Sequence, residues 1–403
     1  MATSAETAQP SELDPEIDPE LFARLVTFRR DLHAHPELSW KENRTAKRIT
    51  ERLDALGVAW RPIVGTGIIA DLPGPPDVPI VALRGDTDAL PVQEETGLEF
   101  ASTVPGVMHA CGHDGHTTIA LGALELLLAE ERPAPVRVLF QPAEEYGEGA
   151  HAMVESGALD GVGMIFGGHL DRHYDVGKLV VTEGAVNAST DTFFITIHGR
   201  GGHGARPHEA VDAVVVASLI VIAIQTIISR EVDPAEPSVI TVGKIDAGTA
   251  SNVIAARARM EGTIRSQSPE VRARLKASLK RVTAAVGTLH GAEVELEIRD
   301  GTPPLINSPE MAALAREAAV ETVGEANVVP LNTANMGGED FSYFLDVVPG
   351  AYLRYGGLAP GAVGYPAHSS RFDFDERALA IGARFLCNLA LRAGRRLAAE
   401  ARS

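Results

Sequence analysis

The chain holds 403 residues, of which 45% are apolar and 22% charged, with a formal net charge of −18. That length exceeds what one hydrophobic core commonly organises, so two domains are expected, and the composition is that of a folded globular protein. The acidic balance speaks against a nucleic-acid partner, whose phosphates need basic patches, and against an anionic membrane surface; a small anionic substrate can still be held by one local arginine.

Residues 1–20 are polar, acidic and proline-containing and read as a loose tail. The start lacks a basic segment followed by an apolar one, so no secretory signal is expected and the default location is cytoplasmic. The two cysteines, Cys111 and Cys387, give no disulfide framework. The longest apolar run, 213–228, is short of the roughly 20 residues of a membrane span and contains Ser218, Gln225 and Thr226, so it reads as a buried helix.

In chain order, 21–33 has the period of an amphipathic helix, 78–83 is an apolar strand, 116–130 a long apolar helix, 136–140 a strand, 149–157 a short helix and 163–168 a third strand. Strands alternating with helices predict an α/β domain with a mainly parallel sheet and helices on both faces. Asp86, Glu144, Glu145 and His169 each follow an apolar strand-like run, which collects them at the carboxyl edge of that sheet, where α/β folds bind ligands. The middle of the chain changes rhythm: strand 191–198, helix 211–229, strands 238–245 and 255–265, helix 269–290 and strand 292–299. That order, β-α-β-β-α-β, predicts an inserted ferredoxin-like domain over 188–301. The first domain, 21–187, then resumes at 302–403 with helices at 309–323 and from 375 onward.

The chemistry begins at His109-Ala110-Cys111-Gly112-His113-Asp114. A thiolate and an imidazole two residues apart suit borderline divalent ions. Glu144-Glu145 follows a strand, and adjacent carboxylates there can divide two tasks, one binding an ion and the other taking a proton from water; their mutual repulsion raises one pKa. With His169 and His368 the set reaches five donors. Five mixed donors fit two ions better than one closed tetrahedral site, since catalysis needs open positions. Asp86 and Asp88 are candidates for orienting the ligands, balanced against a plain polar strand end.

Seven ordered motifs carry a family resemblance. They are His33-Ala34-His35-Pro36-Glu37, Arg84-Gly85-Asp86-Thr87-Asp88-Ala89-Leu90-Pro91, His109 to Asp114, Gln141-Pro142-Ala143-Glu144-Glu145, Gly201-Gly202-His203-Gly204-Ala205-Arg206-Pro207-His208, Gly262-Thr263-Ile264-Arg265 and Gly338-Glu339-Asp340-Phe341-Ser342. On these the chain resembles the metallo-amidohydrolases that include bacterial aminoacylases, hippurate hydrolase and plant auxin-conjugate hydrolases. The resemblance implies an enzyme that hydrolyses the amide bond of N-acyl amino acids. It assigns Cys111, His113, Glu145, His169 and His368 to two divalent ions, Zn²⁺ or Mn²⁺, and Glu144 to the general base. It places His203 as an oxyanion donor reaching a partner subunit's site, Asn252 and Arg265 as substrate contacts, and the inserted domain as a lid through which the chain dimerises. The chain departs from the family at Leu170-Asp171-Arg172-His173 and around Ala367-His368-Ser369-Ser370-Arg371, which bears on the substrate pocket.

Two other classes stand beside this one. A dipeptidase or carboxypeptidase usually carries a histidine and a bridging aspartate where this chain has Asp86 and Cys111, and a non-catalytic metal-binding protein needs no Glu144. A third pattern, Gly199-Arg200-Gly201-Gly202-His203-Gly204, fits a dinucleotide fingerprint by letter but lies in the split βαβ unit with Pro207 at the helix entry, so a nicotinamide cofactor is not expected.

Overall fold

The computed structural model describes residues 17–332 and 335–402. Of the expected tail, residues 1–16 lie outside the described residues, and Pro19 and Glu20 already belong to the first helix, Pro19–Ala34, which Asp18 caps through its side chain. The chain forms two compact units: one takes the described residues to Gly184, Asn307–Asn332 and those from Tyr343 on; the other takes Ala185–Ile306 and the described part of 333–342.

The first unit is built on an eight-stranded sheet. Its strands lie in the order Ala59–Pro62, Ile68–Leu72, Val136–Gln141, Ile80–Asp86, Val162–Asp175, Gly350–Leu358, Leu179–Val180 and Val328–Val329. The central pairings are parallel, and the edge pairs Ala59–Pro62 with Ile68–Leu72 and Ile68–Leu72 with Val136–Gln141 are antiparallel. Central strands covered on both faces need apolar side chains throughout, and Val136–Gln141 is buried at every position. Helices His113–Leu128 and Arg377–Glu400 contribute Ile119, Leu124, Leu379 and Phe385 to the core. Cys387 is fully buried in the last helix, away from the candidate ligands in sequence and role.

One strand is longer than its apolar run. The expectation ended it at Gly168, but Val162–Asp175 carries the ladder through His169 and the charged stretch behind it. The register Leu83 opposite Phe166 and Asp86 opposite Gln141 still brings His169 level with the ends of its neighbours. Among the elements that escape a reading by period are the central strand Gly350–Leu358 and the helix Asn43–Leu56.

The second unit runs strand Ser189–His198, helix Ala213–Glu231, strands Ser238–Ala247 and Arg257–Ser266, helix Pro269–His290 and strand Glu293–Asp300. These strands form one antiparallel four-stranded sheet with Ser189–His198 and Arg257–Ser266 at its centre. Phe193, Ile195 and Ile197 alternate inward against Val216, Ile220, Ile224 and Ile227. Helix Ala213–Glu231 is long and apolar enough by length and composition to cross a membrane. It is not buried all round, as the sequence suggested: one face fills the core of the unit, while Val214, Val215 and Ile222 are exposed.

Candidate metal centre and active site

The site grows from five places in the first unit. Asp86 ends its strand, and Asp88 follows two residues on. Gly112, at φ 85°, turns the chain left-handed so that Cys111 and His113 flank the start of helix His113–Leu128. Strand Val136–Gln141 leads into the turn that carries Glu144 and Glu145. His169 comes from the long strand, and His368 from the loop before the last helix, where its backbone N–H donates to Ala110 at 2.8 Å.

The ligand-type atoms fall into overlapping groups, each with all atoms within 4.8 Å of one another: Cys111, His113 and His169; Cys111, Glu145 and His368; and His113, Glu144 and Glu145. Cys111 Sγ lies 3.2 Å from His169 Nε2, and Glu145 Oε1 lies 3.5 Å from His368 Nε2. The structure thus brings together the five residues expected to hold ions and the expected base.

The protonation of these groups follows from their burial and neighbours. Burial opposes charge on His113, yet Asp86 and the contact with Asp88 overcome it and hold the imidazole well above its usual range. Burial, with Glu145 beside it, pushes the Cys111 thiol up. Burial first pushes the Glu145 carboxyl up, to about 7; His113 opposes the rise and Asp88 adds to it. Burial keeps His169 and His368 below the usual range, with His116 and His113 respectively adding to the effect, so both imidazoles offer a lone pair.

A divalent cation fits this set. His113 Nε2 and Glu145 Oε1 are buried without a hydrogen-bond partner among the described residues. Three carboxylate oxygens surround His113 Nε2 at 3.7–3.8 Å, from Asp86, Glu144 and Glu145, too far for a hydrogen bond. Buried polar atoms are normally satisfied, and a cation among a thiol, three imidazoles and carboxylates relieves each of them. Thiolate and imidazole suit Zn²⁺, and the carboxylate also admits Mn²⁺.

Around these groups a second layer fixes direction. Asp88 Oδ1 lies 3.2 Å from His113 Nδ1 and accepts from Glu144 N at 3.1 Å; Oδ2 accepts from Glu145 N at 3.1 Å and from Ser39 Oγ at 2.7 Å. Asp86 Oδ1 meets His116 Nδ1 at 2.8 Å, and His116 Nε2 accepts from Leu170 N at 2.8 Å, next to His169. Both aspartates are therefore buried against histidines of the cluster, Asp86 beside His116 and Asp88 beside His113. Deeper still, Asp114 binds Arg29 Nε at 2.8 Å and His33 Nδ1 at 2.9 Å, which gives His33 a structural task. His109 is buried with both ring nitrogens unpartnered among the described residues, and burial pushes it down to about 4.

Sequence reasoning missed Ser39, Glu42 and the backbone of Ala143. Ala143, at φ 54°, is one of three non-glycine residues with positive φ among the described residues, with Trp40 and His368. Such a conformation costs of order 1–3 kcal/mol and persists only where its surroundings hold it. No residue-type pattern announces it.

The remaining expected residues lie in the second unit. His203 is exposed on the short strand Gly202–His203, which pairs with Val253–Ile254, and Gly204 N donates to Asn252 O at 2.8 Å, so His203 and Asn252 are neighbours. Arg265 donates from Nε to Thr263 Oγ1 at 3.1 Å and makes no ion pair among the described residues. The two departures from the family pattern share a place: Arg172 and Arg371 line one cavity of about 430 Å³ in the first unit, with Tyr365 and Phe374.

A mainly parallel sheet with thiolate, imidazole and carboxylate donors at its carboxyl edge defines a metal-dependent hydrolase of the amidohydrolase and peptidase class. The chain belongs to peptidase family M20/M25/M40, whose model matches residues 82–392. It is similar to thermostable carboxypeptidase 1 of Saccharolobus solfataricus, 40% identical over 370 residues covering 89% of this chain and 92% of the relative. It is also similar to the N-acetylcysteine deacetylase of Bacillus subtilis, 38% identical with 93% and 98% covered. A solved dinuclear metal-binding peptidase of the M20 family from Bacillus subtilis superposes with a TM-score of 0.83 at 35% identity, covering 93% of this chain and 98% of that one.

Proposed function

We propose that the protein hydrolyses the amide bond of N-acyl amino acids, using two divalent ions held by Cys111, His113, Glu145, His169 and His368. The observation that carries this reading is the meeting of those donors with Glu144, around buried His113 and Glu145 atoms that lack hydrogen bonds. The deacetylase relative supports an acyl amino acid as substrate. Ions bound there supply an acidified water and a polarised carbonyl.

The protein's own groups do the rest. Glu144, on the same turn as Glu145, takes a proton from the attacking water and returns it to the leaving amine. Asp88 holds the Glu144–Glu145 backbone and the His113 ring in one relation. His203 donates to the developing oxyanion, the kind of contact worth about 3–4 kcal/mol where measured. Asn252 and Arg265 contact the substrate, with the Arg265 guanidinium paired to its carboxylate in bidentate fashion.

The second unit serves in this reading as a ferredoxin-like lid and dimerisation domain in a cytoplasmic homodimer. Supporting it are the exposed Val214, Val215 and Ile222 on one helix and the edge strand Ser238–Ala247, with Ile245 exposed. An edge strand and an exposed apolar face are what a second copy would cover.

The test is amine release from hippurate, N-acetyl amino acids and indole-acetyl conjugates by protein reconstituted with Zn²⁺ or Mn²⁺, against a chelated control. Metal-dependent release establishes the activity and ranks acyl groups. Release from dipeptides alone transfers the reading to the carboxypeptidase relative's side of the family. No release from either, with both ions bound, leaves a non-catalytic metal-binding protein.

A further inference from the structure

Three consecutive backbone N–H groups lead into the catalytic turn, and each donates to a buried carboxylate. Glu144 N and Glu145 N donate to Asp88, as described. Ala143 N donates to Glu42 Oε1 at 3.0 Å. The same oxygen accepts from Trp40 N at 3.0 Å, and Glu42 Oε2 accepts from Thr66 Oγ1 at 2.6 Å. Glu42 is wholly buried, although it directly precedes a polar helix.

The two residues that share Glu42 Oε1 are both left-handed without being glycine: Trp40 at φ 64° and Ala143 at φ 54°. On the other side of Ala143, its carbonyl accepts from Gly149 N at 3.2 Å and Glu148 N at 3.4 Å. The Ala143 backbone is therefore gripped from both ends. Strained backbone persists when its surroundings over-determine it, and such strain gathers where it sets a reacting group. Ala143 is the residue before Glu144, so its φ and ψ set the direction in which Glu144 leaves the sheet.

We propose that Glu42 is a positioning residue for the reaction: by holding Ala143 left-handed it aims the Glu144 carboxylate. This rests on Glu144 being the general base. A side-chain acceptor at position 42 is what the geometry requires, more than its charge. Glutamine can keep Oε1 on the two backbone donors while its amide faces the Thr66 hydroxyl, which can accept.

The test is a cycle of Glu42→Ala and Ala143→Gly, with Glu42→Gln as the conservative variant. Glycine adopts the left-handed conformation without strain, so it needs no grip. With reconstituted enzyme, E42A is expected to lower kcat about 10- to 100-fold with KM within about threefold, following what misplacement by about 1 Å does. E42Q is expected to stay within about threefold of wild type. In the A143G background, the E42A loss should shrink at least about fivefold. The same cycle is read in chelated protein by its thermal unfolding midpoint, where the E42A loss should again be smaller in the A143G background. If E42A does not fold, Glu42→Asp, one methylene short, takes its place in the cycle.

Equal E42A losses with and without A143G overturn the proposal, as does an E42A enzyme retaining more than half of wild-type kcat. Should wild-type enzyme release no amine, the base reading fails separately. The chelated cycle then decides whether Glu42 holds the turn, and no coupling there overturns that too.

Discussion

Asp88 Oδ1 stands 3.2 Å from His113 Nδ1, and that one carboxylate also receives the backbone N–H groups of Glu144 and Glu145. A single buried carboxylate thereby couples the His113 imidazole to the turn that bears Glu144 and Glu145. Burial opposes its ionised form, and the contact with His113 overcomes that, holding the Asp88 carboxyl below the usual range.

Removing it should loosen all three groups together. Asp88→Ala is expected to weaken Zn²⁺ binding about 10- to 100-fold, the typical effect of losing an outer partner of a ligand. Asp88→Asn, which keeps one acceptor oxygen, should fall between. Competition with a chromogenic chelator reads both. Wild-type affinity in D88A would show that His113 and the turn are held without Asp88.

Glu144 and Glu145 are neighbours with different expected losses. Glu144→Gln should retain both ions by elemental analysis while kcat falls by at least about 100-fold, since general-base catalysis typically contributes 10² to 10⁴. Glu145→Gln should lower metal content as well, because its Oε1 belongs to the Cys111 and His368 group. If E144Q stays within about tenfold of wild type, the base lies elsewhere.

What the sequence reveals of this site follows from what motifs encode. Cys111, His113 and the Glu144-Glu145 pair announce themselves because residue type and spacing carry the chemistry. Their support does not: Glu42 looks like an ordinary acid before a polar helix, and its value lies in contacts 24 and 101 residues away. The fold divides likewise. The apolar run before Gln141 reads as a strand at sight. Gly350–Leu358 hides because Arg354 and three glycines break any β pattern, although the strand lies at the centre of the sheet. Asn43–Leu56 buries only Thr45, Ile49 and Leu53, one residue per turn, too thin a stripe to read as a helix by period. By sequence His169 falls just past its strand because Asp171, Arg172 and His173 are charged or polar, whereas the ladder to Gly350–Leu358 continues regardless.

A pH dependence follows at Asp31, on the first helix. Burial would raise its carboxyl, but Arg44, with Oδ1 2.8 Å from Nη2, and Arg48, with Oδ2 2.9 Å from Nε, hold it below the usual range. A depressed folded-state pKa gives stability that is present above the unfolded value, about 4, and lost as pH falls through the folded one. Asp31→Asn should therefore lower the unfolding free energy by about 1 kcal/mol near pH 7, kept small by partial exposure. The difference should vanish as the pH falls below about 4. Thermal melts of chelated protein across that range check it, and a difference that persists at about pH 3 would point to packing instead of charge.

The proposed sharing of His203 between subunits makes the most specific demand on the assembly. His203 sits exposed on its short strand beside Asn252. His203→Ala should lower kcat by about 100-fold or more, the typical loss of an oxyanion donor, with metal content unchanged. E144Q should be as inactive for a different reason. In a heterodimer of the two variants, one site combines the intact Glu144 of one chain with the intact His203 of the other. Mixing tagged variants under conditions that exchange subunits, then purifying the doubly tagged species, should restore toward half of wild-type activity. Doubly tagged heterodimers that remain inactive would place His203 in its own subunit's site, and sedimentation at monomer mass would remove the dimer itself.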